Sequence, residues 1–257
     1  MAKVYMITGA SRGLGEAIAL QLLEEGNELH CIARTRSDRL EQAALKSGAS
    51  LSWYQADLGQ AANEGGAADE LLQQIFRNFD TGAFSGLRLI NNAGVLNPIG
   101  PAHRNDAADA AAHIAVNLTA PMALTSSFLR FTEALAADKR ILQVSSGAGR
   151  KPYAGWSVYC AAKAGLDHFT RCVKLEQDAL PHGAKVASVA PGVVDTQMQA
   201  LIRETEDDRF PSRSRFVELH EAGGLLIPHE AASRLLELLE HDRFGEEPVA
   251  DIRDWVR

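Results

Sequence analysis

Short apolar runs alternate with longer amphipathic stretches along almost the whole chain. The runs consist mainly of β-branched or other apolar residues and occupy residues 4–7, 29–33, 51–55, 87–91, 140–144, 185–190 and 249–252. Residues 16–23 and 158–175 instead repeat apolar side chains at the spacing of one helix face. Such alternation is typical of parallel sheets that are covered on both faces. We therefore predict a three-layer α/β fold with a seven-stranded parallel sheet and helices on both sides.

The composition is that of an ordinary globular protein. Of the 257 residues, 46% are hydrophobic and 23% are charged, which is enough apolar surface to bury a core. No linker-like segment divides the chain, so we expect one domain over residues 1–257. The net charge of -7 argues against nucleic-acid binding. We also expect a cytoplasmic protein without membrane segments, because no signal-peptide pattern and no bilayer-length apolar run is present.

The cysteines and histidines carry no pattern of their own. Cys31, Cys160 and Cys172 are odd in number and lack the pairing of a zinc site or a disulfide framework. The eight histidines are scattered along the chain. We therefore expect reduced thiols and no metal site.

A glycine-rich loop follows the first predicted strand. It spans residues 8–15 and opens a helix that begins near Gly13. Glycines let a backbone turn tightly and approach a pyrophosphate, whose charge is met by free N–H groups at the helix start. A plain strand-to-helix turn is the alternative, but the position at the first β–α junction favours a dinucleotide site. The candidate contacts are Gly9, Ser11, Arg12, Gly13, Leu14 and Gly15.

The end of the second predicted strand bears on the choice of cofactor. Enzymes that use NAD generally place an acidic residue there to accept from the ribose hydroxyl, but this chain continues into Arg34-Thr35-Arg36. Arg12 adds a further guanidinium within the glycine loop. Guanidinium groups suit a 2′-phosphate, so we predict NADP(H), held by Arg12 and Arg34. Arg36 is a weaker candidate, since it could equally be a solvated charge at a helix start.

A phenol and an ammonium group are spaced to share one helix face. Tyr159 and Lys163 stand four residues apart, and Ser146 ends a predicted strand thirteen positions earlier. A nearby lysine cation and an oxidised nicotinamide ring would both favour the phenolate and bring its pKa into a useful range. A Tyr-x-x-x-Lys pair alone is common, so its weight comes from the motifs around it.

Taken together, these motifs resemble the short-chain dehydrogenase/reductase family, which has a Rossmann fold. The resemblance covers essentially the whole chain. It rests on the loop at residues 8–15, Asp57-Leu58, Asn91-Asn92-Ala93-Gly94, Asn117, Ser146, Tyr159, Lys163 and the segment 191–196. It implies an NADP-dependent oxidoreductase that acts on a small-molecule carbonyl or alcohol.

The resemblance also implies a role for each catalytic residue. Tyr159 would be the general acid in reduction and the base in oxidation, and Ser146 would hydrogen-bond the substrate oxygen. Lys163 would bind the nicotinamide ribose and lower the pKa of Tyr159, and Asn117 would hold a water in a proton relay. Charge that grows on the carbonyl oxygen would be stabilised by the Ser146 and Tyr159 hydroxyls.

The remaining cofactor contacts follow in the same way. The resemblance assigns the adenosine side to Asp57, Leu58, Asn92, Ala93 and Gly94. It assigns the nicotinamide carboxamide to Val194 and Thr196. Taken singly, residues 91–94 could be a turn and Thr196 could be a helix cap.

Within the family, residues 155–160, residues 195–199 and Asp251 most resemble the sepiapterin reductase and benzil reductase branch. This implies reduction of an aromatic diketone or a pterin-like dicarbonyl. Trp156 would then give an aromatic wall to the substrate site, although ordinary packing is equally open. Asp251 would hold an amino-substituted heterocycle, or else Asp251 and Asp254 are exposed carboxylates near the chain end.

Three further expectations concern the surroundings of the site. Residues 196–214 are polar and lack the pattern of a buried element, so we predict a lid over the site. Helices around residues 117–135 and 158–179 resemble those that pair subunits in this family, which implies a homodimer or a homotetramer. Two alternatives to a reductase stay open: a cofactor-binding sensor without turnover, and an enzyme that physiologically oxidises alcohols.

Overall fold

A single parallel sheet organises the computed structural model, which describes residues 3–62, 64–77 and 84–255. Within that part of the chain the sheet has seven strands in the order β3-β2-β1-β4-β5-β6-β7, and every neighbouring pair is parallel. The strands are β1 (Lys3–Thr8), β2 (Glu28–Ala33), β3 (Ser50–Gln55), β4 (Gly86–Asn91), β5 (Asp138–Val144), β6 (Lys185–Ala190) and β7 (Val249–Asp251). The predicted sheet is confirmed, with the last strand one residue shorter than expected.

Helices cover both faces of this sheet. They are α1 (Gly13–Gln21), α2 (Asp38–Ser47), α3 (Leu58–Ala61), α4 (Ala67–Phe76), α5 (Ala107–Ile114), α6 (Ala120–Thr132), α7 (Ser157–Asp178), α8 (Gln197–Glu204), α9 (Arg213–Glu221) and α10 (Pro228–Glu240). The β1 side chains alternate between two cores, as a strand requires. Tyr5 and Ile7 pack with α1 and α10, whereas Val4 and Met6 pack with α4, α6 and α7. The three-layer prediction is therefore confirmed.

The strand order places a binding cleft at the carboxyl ends of the strands. The chain runs outward from β1 to β2 and β3, then returns across β1 to build β4, β5, β6 and β7. The loops after β1 and β4 therefore diverge in opposite directions. Ligands of open α/β sheets bind at such a switch point.

The segment at residues 196–214 corrects the expectation of a polar lid without buried elements. It contains α8, and the Ile202 and Phe210 side chains are buried. Together with Leu96, Ile99, Trp156 and Phe216 they form a third apolar cluster, apart from the two cores of the sheet. The segment lines the cleft, and its buried Ile202 and Phe210 side chains pack it against the rest of the protein.

The three cysteines are free thiols. Cys31 is buried in the core, and this burial raises the pKa of its thiol to about 12. Among the described residues, no group of three His, Cys, Asp or Glu side chains is arranged to bind a metal ion. Nor does any helix of the described ranges have the length and apolar character needed to cross a bilayer.

Candidate active site

All the site residues predicted from the sequence line the cleft at the carboxyl ends of the strands. They are Gly9, Ser11, Arg12, Gly13, Leu14, Gly15, Arg34, Asp57, Leu58, Asn92, Ala93, Gly94, Asn117, Ser146, Trp156, Tyr159, Lys163, Val194, Thr196 and Asp251. Arg36, the weaker candidate, is not among the residues that line it, and its guanidinium lies 3.5 Å from the Glu41 carboxylate.

The glycine loop is braced by the loop that follows β4. The Thr8 hydroxyl accepts hydrogen bonds from the Asn92 and Ala93 backbone N–H groups, each at 3.0 Å, and the Asn92 amide donates to the Thr8 carbonyl at 3.0 Å. A Cβ at Gly9 would lie 2.9 Å from the Ala93 Cα atom. Asn92 and Ala93 therefore shape the loop, whichever group they contact in addition.

The start of α1 suits an anionic ligand. Gly13, with φ of 58°, is its first residue, and no described side chain caps its free N–H groups. These donors open onto the cleft together with the partly exposed Ser11 and the exposed Arg12. Uncapped N–H groups beside a guanidinium are complementary to a phosphate or pyrophosphate. The residues present thus fit the dinucleotide predicted from the sequence.

The far end of the cleft carries positive charge. Arg34 directly follows β2 and is exposed, and Arg12 donates to the Gln197 side chain at 2.9 Å across the cleft. Asp57 caps α3 by accepting from the Gly59 and Gln60 N–H groups at 2.9 and 3.4 Å. One carboxylate oxygen of Asp57, Oδ1, therefore already accepts hydrogen bonds from the backbone of α3.

The loop after β6 closes the other side of the cleft. The Val194 backbone pairs with Leu226, which fixes the loop, and a Cβ at Gly13 would lie 3.5 Å from the Thr196 methyl group. Thr196 occupies the N-cap position of α8, but its side chain makes no capping hydrogen bond. Thr196 is therefore the N-cap residue of α8, without a side-chain contribution, and it also lines the cleft, so the two interpretations of it do not exclude each other.

Ser146, Tyr159 and Lys163 come together from two elements. Ser146 follows β5, and the other two lie in the first turns of α7, where both are buried. The Ser146 side chain lies near enough to the Tyr159 hydroxyl to lower the tyrosine pKa by hydrogen bonding to the phenolate. The Lys163 ammonium donates to the Val144 carbonyl at 2.8 Å and lies 6.0 Å from the centre of the Tyr159 ring. The predicted grouping of two hydroxyls and one cation is thus present.

Burial controls the protonation of this group. It raises the pKa of Tyr159 despite the opposing hydrogen bond with Ser146, and it lowers the pKa of Lys163 to about 8 despite the nearby Asp167. The expected lowering of the tyrosine pKa is therefore not produced by the protein alone, because removal of the phenolate from water outweighs the hydrogen bond with Ser146. A protonated phenol at neutral pH suits a proton donor.

Asn117 lies in a short π-helical turn, residues Ala115–Thr119. Its amide donates to the Val95 carbonyl at 2.8 Å and to His113 Nε2 at 2.7 Å, and its oxygen accepts from the Val95 N–H at 3.0 Å. Both the nitrogen and the oxygen of the Asn117 amide therefore have hydrogen-bond partners within the protein. A relay water would need another group to bind it, such as the backbone.

His113 was not expected from the sequence. Its Nδ1 lies 2.7 Å from the Asn97 carbonyl and its ring lies edge-on to Tyr159, with 5.8 Å between the ring centres. Burial lowers its pKa, and the Lys163 charge adds to this effect. A neutral ring that donates from Nδ1 and accepts from Asn117 at Nε2 satisfies both contacts. The available signal was its position four residues before Asn117, on the same helix face.

An aromatic cluster borders Tyr159. Trp156 stacks on Phe210 with 4.3 Å between ring centres and meets Tyr159 edge-on at 5.5 Å. Tyr153 and Phe216 pack against the same indole at 5.2 and 5.4 Å. Trp156 is thus a packed side chain and also a wall of the cleft, so the two interpretations of it do not exclude each other.

Asp251 is buried, whereas Asp254 is exposed. The interpretation of both as exposed carboxylates is therefore wrong for Asp251. Its oxygens face Arg253 at 2.7 and 2.9 Å and Arg150 at 3.2 Å. Sequence reasoning missed both arginines as neighbours of this carboxylate.

Comparison with known proteins agrees with this geometry. The family model described as short chain dehydrogenase matches residues 3–207. The chain is 39% identical over 250 residues to a benzil reductase ((S)-benzoin forming) of Bacillus cereus, covering 97% of this chain and 99% of that protein. It is 34% identical to the sepiapterin reductase of Rattus norvegicus, covering 98% and 96%.

Solved structures show the same relationship. The KRED1-Pglu enzyme superposes with a TM-score of 0.79 at 31% identity, over 95% of this chain and 99% of that one. The family uses nicotinamide cofactors and acts on CH–OH or C=O groups, in keeping with the hydroxyl and ammonium cluster described above. The chain therefore belongs to the short-chain dehydrogenase/reductase family and is an oxidoreductase.

Proposed function

We propose that this protein is an NADPH-dependent carbonyl reductase whose substrates are aromatic diketones or pterin-like dicarbonyls. One observation carries the proposal: the paired hydroxyls of Ser146 and Tyr159 lie next to the aromatic wall of Trp156 in the same cleft. A flat aromatic ketone could stack on the wall and place its oxygen at the hydroxyls. The similarity to benzil and sepiapterin reductases supports this substrate class.

The chain's own residues supply the proton and the stabilisation of charge. Bound NADPH would supply the hydride to the carbonyl carbon. The Ser146 and Tyr159 hydroxyls would donate hydrogen bonds to the carbonyl oxygen, and the Tyr159 proton would move to that oxygen as it gains negative charge. Lys163 would hold the ribose and balance the charge left on the phenol. The raised pKa of Tyr159 keeps the phenol protonated at neutral pH, which is the form that a proton donor in reduction needs.

Arg12 and Arg34 support NADPH rather than NADH. Both side chains line the cleft, and the residue that follows β2 is Arg34 rather than an acid. A 2′-phosphate would be attracted there by charge, whereas a bare ribose would gain little.

We further propose one domain, a cytoplasmic location and a homodimer or homotetramer. The free cysteines fit a reducing compartment. Met122 on α6 and Leu175 on α7 are exposed apolar side chains on the two helices expected to pair subunits. Light scattering at micromolar concentration should give a mass of at least twice 27.7 kDa, and a monomer mass would contradict the proposal.

Initial rates with benzil, sepiapterin and a quinone, each with NADPH and NADH, would test the activity. We expect turnover with NADPH, and we expect Tyr159→Phe to lower kcat by about 100-fold or more because the proton donor is lost. Tyr54→Phe is the matched control, since Tyr54 lies on β3 and does not line this cleft. Absence of turnover with every carbonyl, or full activity of Tyr159→Phe, would contradict the proposal.

A further inference from the structure

A buried carboxylate lies at the substrate end of the cleft. Asp251 ends β7, and its side chain is only 2% exposed although it lines the same cleft as Tyr159. A carboxylate there is complementary to a heterocycle that presents two adjacent N–H donors, such as the 2-amino-pyrimidine edge of a pterin. The preferred substrate therefore depends on whether the Asp251 oxygens are available.

Two arginines already occupy those oxygens. Arg253 donates from Nε to Oδ1 at 2.9 Å and from Nη2 to Oδ2 at 2.7 Å, and its backbone N–H donates to Oδ1 at 3.0 Å. Arg150 donates to Oδ2 at 3.2 Å. The forked guanidinium of Arg253 thus makes the same two-point contact that an amino-heterocycle would make.

The Asp251–Arg253 pair is held by the backbone. The Asp254 N–H bonds to the Asp251 carbonyl at 3.0 Å, which closes a turn, and the Ile252 N–H bonds to Ala190 at the end of β6 at 3.1 Å. Burial alone would raise the pKa of Asp251, but the hydrogen bonds and charges of Arg253 and Arg150 outweigh it and lower the pKa. At neutral pH Asp251 is therefore ionised and paired with Arg253 and Arg150 before a substrate binds.

We propose that Arg253 is a specificity-determining residue: it withholds Asp251 from amino-substituted heterocycles and so favours uncharged aromatic diketones over pterins. The proposal rests on the function proposed above and narrows its substrate class. The Arg253 side chain is 58% exposed and lines the cleft, so a substrate meets guanidinium donors rather than a free carboxylate. The second carbonyl oxygen of a diketone is an acceptor and suits such donors.

The ratio of kcat/KM for sepiapterin to that for benzil, measured with NADPH, tests this inference. We expect wild type to favour benzil and Arg253→Gln to raise the ratio by about tenfold, because Asp251 loses the two-point guanidinium contact and keeps only the contacts with Arg150 and the Arg253 N–H. In the double variant Arg253→Gln with Asp251→Asn the gain should vanish. Arg234→Gln is the control, since Arg234 is an exposed residue of α10 paired with Glu230.

A binding measurement separates this inference from the proposed activity. Quenching of tryptophan fluorescence by sepiapterin, measured with NADP⁺ bound, should show tighter binding by Arg253→Gln whether or not the wild type turns over. Unchanged or weaker binding, or an equal effect on both substrates, would overturn the inference while leaving a working diketone reductase intact. If Arg253→Gln melts early, Arg253→Lys, which lacks the fork, should show a smaller shift in the same direction, and no shift would overturn the inference.

Discussion

Single residues at the two ends of the cleft have opposite electrostatic surroundings. At the reactive end, Tyr159 and Lys163 are buried, so both lose stability when charged, and the phenol keeps its proton. At the other end, Arg12 and Arg34 are exposed to solvent. In the proposed function this arrangement would separate proton transfer, which needs a protected group, from recognition of phosphate, which needs accessible charge.

Arg34 should control the choice between the two nicotinamide cofactors. We expect Arg34→Ala to raise the KM for NADPH by about 10-fold or more, because a charge-assisted hydrogen bond to the 2′-phosphate is lost, and to leave the KM for NADH almost unchanged. Steady-state kinetics with both cofactors measures this. Arg36→Ala is the matched control, since Arg36 pairs with Glu41 and does not line the cleft. An equal rise in KM for both cofactors would mean that Arg34 does not bind the 2′-phosphate.

At the scale of elements, the π-helical turn between α5 and α6 links the loop after β4 to Tyr159. The turn directs Asn117 toward Val95 and His113, and His113 in turn packs its edge against Tyr159. A π-helical turn widens a helix locally and is common at functional sites. We infer that His113 is a positioning residue that fixes Asn117 and the phenol relative to each other.

Loss of His113 should therefore reduce kcat more than it changes KM. In His113→Phe the Asn117 amide loses an acceptor, which costs about 1–3 kcal/mol at a buried site, and we expect kcat to fall by about tenfold. The effects of His113→Phe and Asn117→Ala should be less than additive in the double variant, because both disturb one contact. His182→Phe, at an exposed loop position, is the control. Additive effects would show that the two residues act separately.

At the scale of the whole molecule, an ion cluster around the buried Arg88 fastens the last long helix to the sheet. Glu240 at the end of α10 accepts from Lys3 at 2.7 Å and from Arg88 at 2.9 and 3.0 Å. Arg88, on β4, is 1% exposed and also pairs with Asp138 at 2.7 Å. Because these contacts join β1, β4, β5 and α10, they hold together elements that are far apart in the sequence.

Replacement of Glu240 should destabilise the protein in a pH-dependent way. Burial opposes its charge, but hydrogen bonds from Arg88 and Lys3 prevail and lower the pKa from 4.5 to about 2. The carboxylate therefore stabilises the fold above pH 4.5, and this contribution is lost as the pH falls toward 2. Urea unfolding should show a loss of about 2 kcal/mol for Glu240→Gln at neutral pH, shrinking below pH 4.5.

The exposed Glu230 on the same helix provides the comparison. It pairs with Arg234 at the surface, so Glu230→Gln should change the free energy of unfolding by less than about 0.5 kcal/mol. A similar loss of unfolding free energy in both variants would show that a change in helix propensity causes the effect, rather than loss of the contacts of Glu240 with Lys3 and Arg88.

Most of the fold, and the grouping of Ser146, Tyr159 and Lys163 in one cleft, could be predicted from local sequence signals. The spacing of apolar residues along short stretches of chain predicts the strands and helices. The glycine loop, Ser146, Tyr159 and Lys163 lie at fixed positions relative to these strands and helices. Their convergence follows from the parallel sheet, since the carboxyl ends of its strands meet at one edge. These features were predictable because each depends on short stretches of chain and on one topological rule.

The remaining features arise where distant segments meet. The partners of Asp251, the contact of His113 with Tyr159 and the burial of Phe210 against Trp156 each depend on side-chain packing. The direction of the Tyr159 pKa depends on the same factor, because desolvation is set by every segment that surrounds the phenol. The sequence specifies which chemical groups the cleft contains, and the packing of the folded chain determines their charge and their accessibility to a substrate.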